Sequence, residues 1–142
     1  MCCGVGFSTR ALMEAFPFAQ KVVGIDTSPQ MLAMARYISS HVDHLKPLKY
    51  NTVPPPSTSP PSTLYLKGNA ETASSLFQQD EKFGVISIMY AFHEIPFEGR
   101  QRILNEAKRL LTSGGIIAIV DISTDYTPSP SMLAGEPYGK FG

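Results

Sequence analysis

Two features near the start of the sequence could together bind a nucleoside: a glycine turn at residues 2–6 and the carboxylate of Asp26. The turn, Cys-Cys-Gly-Val-Gly, comes directly before a helix predicted to begin at residues 8–9. Gly4 and Gly6 let a ligand approach the backbone closely and meet N–H groups near the helix N-terminus. Asp26 ends the next predicted strand about twenty residues further on, a spacing at which an acidic side chain accepts hydrogen bonds from ribose hydroxyls.

The glycine turn differs from the dinucleotide-binding fingerprint G-x-G-x-x-G at the position of the third glycine. That pattern requires glycine or alanine at position 7, where this sequence has Phe7, so a pyrophosphate would be crowded. S-adenosylmethionine carries no phosphate and needs close backbone approach without an anion cradle. The turn therefore favours S-adenosylmethionine, and an NAD-type oxidoreductase is the weaker alternative.

A second group of polar residues follows later strands. His93 and Glu94 come after a predicted strand at 83–90, and Asp121 ends a predicted strand at 116–120. Open α/β sheets bind ligands at the carboxyl ends of their strands, so His93 could act as a catalytic general base toward an acceptor. The alternative is that the imidazole only hydrogen-bonds the backbone. Asp121 is open to the same two interpretations.

The only cysteines, Cys2 and Cys3, are adjacent and are interpreted as small side chains within the turn. They cannot build the spaced disulfide framework of a small secreted domain, which indicates a reducing compartment. No His and Cys cluster has the spacing of zinc ligands, so no metal site is predicted.

The elements that must position these residues alternate between strand and helix. Short β-branched or apolar runs predict strands at 21–25, 63–67, 83–90 and 116–120. Helices are predicted to begin at residues 8–9, to follow Ser28 as N-cap, and to occupy about 71–77 and 97–111. This alternation predicts an α/β fold with a parallel sheet, right-handed crossovers and helices on both faces.

Helical periodicity also predicts which faces are buried. After Ser28, the spacing assigns the buried face to Met31, to Met34 or Ala35, and to Ile38. In the helix at 97–111, the charged residues between 100 and 109 are predicted to form a solvated face, with a weak pair between Glu106 and Arg109. The glycines within 112–115 are predicted to end this helix through left-handed backbone.

Length and composition indicate one domain with a small, weakly charged ligand. The 142 residues are 43% hydrophobic, and acidic and basic residues number 12 each, which argues against a nucleic-acid partner. The proline-rich segment at about 46–62 is interpreted as a surface-loop insertion, in preference to a linker or an SH3-type ligand.

The same composition argues against a membrane protein. No apolar run approaches the roughly 20 residues of a membrane span, and Arg10, Glu14 and Pro17 interrupt the N-terminal stretch, unlike a signal peptide. A cytoplasmic location is expected, with an organelle as the alternative. The sequence leaves the oligomeric state open.

Five segments, in order along the chain, resemble the motifs of class I S-adenosylmethionine-dependent methyltransferases. They are MCCGVGFSTRAL, VVGIDTSPQMLAMAR, LKGNAETAS, FGVISIMYAFHEIP and RQRILNEAKRLLTSGGIIAIVDIS. These look like the glycine motif, the strand with the ribose-binding acid, the third-strand motif, the fourth strand, and the helix, glycine turn and fifth strand of that family. The resemblance covers nearly the whole chain outside the proline-rich segment and implies a Rossmann-like fold.

The resemblance also implies roles for matching residues, with S-adenosylmethionine as cofactor. Backbone of the turn would line the methionine portion, and Asp26 would hold the ribose. Asn69 stands where the family more often has aspartate, and its amide oxygen can still accept a hydrogen bond from the adenine amine. The implied contacts with the methionine portion and the ribose are Cys2, Cys3, Gly4, Val5, Gly6 and Asp26. Thr27 and Met31 would lie beside the adenosine, Asn69 and Ala70 at the adenine, and Tyr90 and Ala91 beside the reacting methyl.

The sequence departs from the family pattern in three respects. Cys2 occupies the position of the family's first glycine. The family's first strand, with the acid that meets the cofactor's amino group, is expected to be missing before Met1. The sixth and seventh strands are expected to be missing after Gly142. Residues 1–142 are therefore predicted to form a single, incomplete methyltransferase domain.

The implied reaction is transfer of the sulfonium methyl group to an unidentified, small-molecule acceptor. The departing thioether is a good leaving group, so positioning and desolvation are expected to dominate over acid–base chemistry. The alternative is a non-catalytic fragment that keeps part of the cofactor fold.

Overall fold

The structure is a computed structural model that describes residues 1–41, 62–123, 125 and 127. The helices and strands are α1 (Phe7–Ala15), β1 (Lys21–Asp26), α2 (Pro29–His41), β2 (Ser62–Lys67), β3 (Phe83–Met89), α3 (Phe97–Leu110) and β4 (Leu111–Val120). Two 3₁₀ segments, Ala70–Leu76 and Phe92–Glu94, precede and follow β3. The predicted loop at 46–62 lies outside the described residues except for Ser62, which begins β2.

The strands form two parallel pairs, β1 with β2 and β3 with β4. Residues 1–3 lie between the pairs. The Cys3 amide donates to the Ile25 carbonyl at 2.9 Å, and the Met1 amino group donates to the Ser87 carbonyl at 2.7 Å. The predicted α/β fold with parallel strands is confirmed, and its sheet is divided into two pairs that residues 1–3 bridge near the carboxyl ends of β1 and β3.

Helices cover both faces of β1. Val23 and Ile25 pack into a core cluster shared with the 3₁₀ segment Ala70–Leu76, β3 and α3. Gly24 faces the opposite side, where an added Cβ would lie 2.9 Å from Thr9 Oγ1 of α1 and 2.8 Å from the Tyr65 ring. Burial on both faces explains why the strand is apolar throughout rather than alternating.

The start of α2 agrees with its prediction, and its buried face agrees only in part with the face predicted from the spacing. Ser28 Oγ accepts a hydrogen bond from the Met31 N–H at 3.2 Å, as an N-cap does. Leu32 and Ala35 are buried, whereas Met31 and Met34 are 46% and 49% exposed. Assigning Met31 to the buried face is wrong, whereas the alternative that placed Ala35 there is confirmed. Tyr65 of β2 packs with Leu32 and Ala35 and thereby sets this face.

The end of α3 lies where the glycines predict it, but the backbone after it is extended and not left-handed. Leu111 is already extended, with φ −80° and ψ 138°, and opens β4. The left-handed residue is Gly114, with φ 76°, at a register shift between β3 and β4. The prediction of a left-handed helix cap is therefore wrong, since the glycines form an irregularity at the start of a strand.

Glu106 departs from the predicted solvated face of α3. It is only 5% exposed. Its Oε2 accepts the Ser74 N–H at 2.7 Å, and its Oε1 accepts Arg109 Nη1 at 2.8 Å. Burial acts to raise the pKa of Glu106, and the hydrogen bonds from Ser74 and Arg109 outweigh it and lower the pKa. The carboxylate therefore joins α3 to the 3₁₀ segment Ala70–Leu76.

Within the described part of the chain, none of the helices is long and apolar enough to cross a bilayer.

Candidate functional site

The glycine turn before α1 has left-handed backbone at three positions. The angle φ is 55° at Cys2, 50° at Gly4 and 82° at Gly6. Gly6 leaves no room for a side chain, since a Cβ there would lie 2.6 Å from the Tyr65 hydroxyl, whereas Gly4 has nothing within 4 Å. The turn is therefore packed against the core at Gly6 and open at Gly4, where a ligand can reach the backbone.

Asp26 joins this turn to the start of α2. Its Oδ2 accepts the Gly4 N–H at 2.8 Å, and its Oδ1 accepts the Ser28 N–H at 2.9 Å. A carboxylate offers about four lone-pair positions, so each oxygen keeps capacity for another donor such as a ribose hydroxyl. Capping the turn and binding a ribose are therefore compatible roles for Asp26, because the capping bonds hold the carboxylate at the sheet edge.

Arg10 of α1 lies beneath the glycine turn and was not singled out by the sequence pattern. It is 9% exposed, and its Nη1 donates to the Val5 carbonyl at 3.2 Å. Its Nε and Nη2 are buried without a hydrogen-bond partner, and its guanidinium lies 4.7 Å from the centre of the Phe7 ring. A buried guanidinium with unpartnered donors, close to a helix N-terminus, creates an environment that favours an anion.

The residues predicted to contact the adenosine follow the carboxyl ends of β1 and β2, which pair in register. Thr27, Met31 and Asn69 are exposed, and Ala70 is buried. The Asn69 Oδ1 accepts the Glu71 N–H at 2.9 Å as an N-cap. The oxygen predicted to meet the adenine amine therefore already has one donor and keeps its second lone pair.

His93 and Asp121 form a hydrogen-bonded pair beyond the carboxyl ends of β3 and β4. The His93 Nδ1 lies 2.6 Å from Asp121 Oδ1, and the His93 backbone N–H donates to Oδ2 at 3.2 Å. The side chains are 35% and 17% exposed. With the proton on Nδ1, the lone pair on Nε2 is available to accept a proton.

The charge of Asp121 is maintained by its hydrogen bonds. Burial acts to raise the pKa of Asp121, but bonds from the Ile122 N–H and from the ring and backbone of His93 outweigh it and lower the pKa to about 2. Asp121 is therefore an anion at neutral pH, suited to orienting an imidazole and stabilising its protonated form.

Tyr90 and Ala91 connect β3 to this pair. Tyr90 has a left-handed φ of 51° and a side chain that is 65% exposed, and its N–H donates to the Val120 carbonyl at 2.8 Å. Ala91 is buried. Left-handed backbone strains a tyrosine, and the hydrogen bond to β4 holds it there. The Tyr90 ring is thus exposed at the carboxyl end of β3.

The two cysteines belong to the packing of the turn. Burial raises the pKa of Cys3 to about 11 and also raises the pKa of Cys2. Protonated thiols are poor nucleophiles and poor metal ligands. Among the described residues, no three or more His, Cys, Asp or Glu side chains gather closely enough to hold a metal ion.

Parallel strands, a glycine turn before a helix and a carboxylate after the next strand define a nucleotide-cofactor domain of the Rossmann-like class. Residues 1–119 match a family described as a methyltransferase domain, and the chain belongs to that family. The predicted resemblance to class I S-adenosylmethionine-dependent methyltransferases is thereby confirmed.

A curated relative is similar over most of the chain. It is an uncharacterised methyltransferase from Synechocystis sp., 30% identical over 122 residues, which make up 86% of this chain and 45% of the relative. The chain thus spans about half the length of that relative.

Solved structures share the fold at lower identity. The glycopeptide N-methyltransferase MtfA, complexed with S-adenosylmethionine, has a TM-score of 0.58 at 16% identity, over 90% of this chain and 46% of MtfA. A protein from Clostridium thermocellum assigned as an rRNA methylase has a TM-score of 0.57 at 15% identity, over 98% of this chain and 67% of that protein. At these identities the likeness establishes the Rossmann-like fold.

Proposed function

We propose that this chain provides the cofactor site of an S-adenosylmethionine-dependent methyltransferase that acts on a small-molecule acceptor. The observation that carries the proposal is the 2.8 Å hydrogen bond from the Gly4 N–H to Asp26. It joins an open glycine backbone to a carboxylate with spare acceptor capacity, so the methionine and ribose portions of one cofactor would lie on either side of it. Membership of the methyltransferase domain family supports the reaction class.

The residues at the sheet edge fit the chemical groups of this cofactor. Asp26 can accept hydrogen bonds from the ribose hydroxyls, and Arg10 with the N–H groups at the N-terminus of α1 can donate hydrogen bonds to the carboxylate of the methionine portion. When bound, S-adenosylmethionine supplies a methyl group on a positively charged sulfur. The proposed contacts are those predicted from the sequence, Cys2, Cys3, Gly4, Val5, Gly6, Asp26, Thr27, Met31, Asn69, Ala70, Tyr90 and Ala91, together with Arg10.

We assign His93 as the general base and Asp121 as the residue that positions it. The 2.6 Å contact with Asp121 holds the imidazole through Nδ1. Nε2 would then take the proton from an acceptor O–H or N–H as the acceptor's electron pair bonds to the methyl carbon. The cofactor's sulfonium would supply the methyl group and retain the electron pair of the carbon–sulfur bond, and Asp121 would stabilise the imidazolium that results.

The charge of the chain supports a small-molecule acceptor. Acidic and basic residues number 12 each, whereas RNA binding draws on an excess of Lys and Arg. The fold relatives include both a glycopeptide N-methyltransferase and a protein assigned as an rRNA methylase. The balanced charge of this chain favours a small-molecule acceptor, and RNA is the alternative.

Calorimetric titration with S-adenosylmethionine tests the cofactor site. Asp26→Ala should weaken binding roughly tenfold to a hundredfold, since a hydrogen bond to a charged group contributes about 1.5–3 kcal/mol. Asp80→Ala removes another carboxylate, an exposed one, and should leave the affinity unchanged. Asp26→Ala also removes the two hydrogen bonds that Asp26 accepts within the turn. Asp26→Asn keeps one acceptor oxygen, so comparing the two variants separates a loss of cofactor binding from a loss of turn structure.

Two results would contradict the proposal. Saturable binding of NADH without binding of S-adenosylmethionine would overturn the cofactor assignment. Absence of binding by the folded chain would instead favour the non-catalytic fragment.

A further inference from the structure

The 3₁₀ segment Ala70–Leu76, which we call the adenine-side segment, is packed against α3 through small side chains. Ala70 and Ala73 are both buried. Ala70 shares a core cluster with Ile103 of α3, and Ala73 shares another with Ala107 of α3. Because an alanine side chain is short, the backbone of the segment lies close to α3, within reach of the polar side chains of that helix.

Glu106 of α3 holds the backbone of this segment near its centre. The segment is kinked at Thr72, where φ is −135° and ψ is 29°. Two residues later, the Ser74 N–H donates to Glu106 Oε2 at 2.7 Å. Glu106 is itself buried, and Arg109 Nη1 donates to its other oxygen at 2.8 Å. Hydrogen bonds to a charged group are strong when they are shielded from water, so Glu106 fixes the segment next to its kink.

A second contact joins the start of the segment to α3. Arg102 Nε donates to Glu71 Oε2 at 2.5 Å. These side chains are 57% and 28% exposed, and ion pairs in contact with water contribute little to stability. Of the two contacts, Glu106 therefore anchors the segment more strongly.

The side chain of Asn69 is bonded to the segment that it caps. Its Oδ1 accepts the Glu71 N–H at 2.9 Å, and its backbone carbonyl accepts the Thr72 N–H at 3.1 Å. On the other side, the Gly68 N–H donates to the Asp26 carbonyl at 2.9 Å. The Gly68 bond fixes the backbone that leads into Asn69, whereas the orientation of the amide depends on Glu71. A displacement of the segment would therefore turn the Asn69 amide.

We infer that Glu106 is a positioning residue for the adenine side of the cofactor site, acting through Ser74 and the adenine-side segment on the amide of Asn69. The inference rests on the proposed function, in which the second lone pair of the Asn69 oxygen accepts a hydrogen bond from the adenine amine. Glu106 acts from within the core. It sets the direction in which that lone pair faces, and so how well the site distinguishes adenine from a base without the amine.

Two ligands that differ only in the base test the inference. S-adenosylhomocysteine carries the adenine amine, and S-inosylhomocysteine carries in its place a carbonyl oxygen, which the oxygen of Asn69 repels. The unmodified chain should bind S-adenosylhomocysteine about tenfold more tightly, the value of about one hydrogen bond. The readout is the ratio of the two dissociation constants by calorimetry, because a general loss of stability weakens both ligands equally and leaves this ratio unchanged.

Four variants locate the effect, each checked for folding by circular dichroism. In Glu106→Ala the Ser74 N–H loses its acceptor, and the ratio should fall below about threefold. Glu106→Asp keeps the charge, withdraws it from Ser74 by one methylene and should also lower the ratio. Glu106→Gln keeps an oxygen within reach of Ser74 and should retain most of the ratio. Lys82→Met, which removes a hydrogen bond to the Arg109 carbonyl at the end of α3, is the matched control and should leave the ratio unchanged.

An unchanged ratio in folded Glu106→Ala would overturn the inference, since the Gly68 bond would then suffice to orient Asn69. If Glu106→Ala does not fold, the same result in Glu106→Asp decides. An equal fall in Lys82→Met would also overturn the inference, by making any loosening of α3 the cause. A ratio near one in the unmodified chain would overturn it while leaving the cofactor site in place. Failure of the proposed function is distinct, because the unmodified chain would then bind neither ligand.

Discussion

The carboxyl end of β1 and the carboxyl ends of β3 and β4 differ in the chemical groups they present. At β1 the proposed functional groups are mostly backbone, in a turn whose Gly4 N–H is bonded, like the Ser28 N–H that follows β1, to Asp26. At β3 and β4 they are side chains, His93 paired with Asp121. A backbone site tolerates an unusual side chain such as Cys2, whereas a side-chain site does not. Substitutions in the two regions should therefore separate cofactor binding from turnover.

The largest expected effect is on turnover, from His93→Ala. Loss of a general base should lower the rate of methyl transfer by about 10²–10⁴-fold, while the affinity for S-adenosylmethionine stays the same. The measurement is transfer to a panel of phenols, alcohols and amines, with cofactor titration in parallel. Glu98→Ala, which removes an exposed carboxylate in the first turn of α3, is the control and should change the rate far less. Equal loss of cofactor affinity in His93→Ala would erase the distinction between the two regions.

A smaller effect should appear at the cofactor end, from Arg10→Met. If Arg10 meets the cofactor's carboxylate, S-adenosylmethionine should bind roughly tenfold to a hundredfold more weakly, the value of a charge-assisted hydrogen bond. Methylthioadenosine, which lacks that carboxylate, should bind as it does to the unmodified chain. Arg36→Met removes a guanidinium that donates to the Tyr65 carbonyl of β2 instead and serves as the matched variant. If Arg10→Met weakened the binding of both ligands equally, Arg10 would only stabilise the turn, through its hydrogen bond to Val5.

A smaller effect again is expected on stability, from Cys2→Gly. Left-handed backbone at φ 55° costs a side-chain-bearing residue about 1 kcal/mol, and glycine avoids this cost. The free energy of unfolding in urea should therefore rise by about 1 kcal/mol. Cys3→Ala, at a buried neighbour in the core, should lower it instead. A lower free energy of unfolding for Cys2→Gly would mean that packing of the Cys2 side chain outweighs the strain of its left-handed backbone.

The smallest expected effect is the acid dependence conferred by Asp121. Its pKa is lowered to about 2 in the folded chain, below the value of about 3.9 for a free aspartate. The carboxylate therefore stabilises the fold fully above about pH 4, and this contribution fades as the pH falls toward 2. The gap in unfolding free energy between the unmodified chain and Asp121→Asn should narrow over that range. A gap that is constant from neutral pH to pH 2 would exclude the His93 contact as its source.

Much of the fold could be predicted from local patterns. Apolar runs located the four strands of the described residues, and Ser28 located the start of α2, because propensity and capping act over a few residues. The buried face of α2 could be assigned only in part, with Ala35 as one alternative and Leu32 missed, since it depends on where Tyr65 of β2 packs. The position where α3 ends was predicted correctly, but the predicted reason was wrong. The glycines do not cap the helix; they lie at the register shift between β3 and β4.

The candidate site divides in the same way. The glycine turn and Asp26 could be predicted because their residue types and spacing carry the signal, and the roles of the predicted contacts stay predictions. Arg10 could not be found, since its importance comes from burial beneath the turn. The pairing of His93 with Asp121 joins residues 28 positions apart, and no local pattern encodes such a contact.

By itself, the sequence determined the order of elements, the backbone freedom of the turn and the family to which the chain belongs. These depend on residue type and short-range spacing. Only the tertiary structure decided that residues 1–3 bridge the two strand pairs, that Arg10 is buried without full hydrogen bonding, and that His93 is hydrogen-bonded to an aspartate. Each of these depends on which surfaces meet after folding, because strand edges, buried charges and side-chain pairs acquire their energies from neighbours distant in sequence.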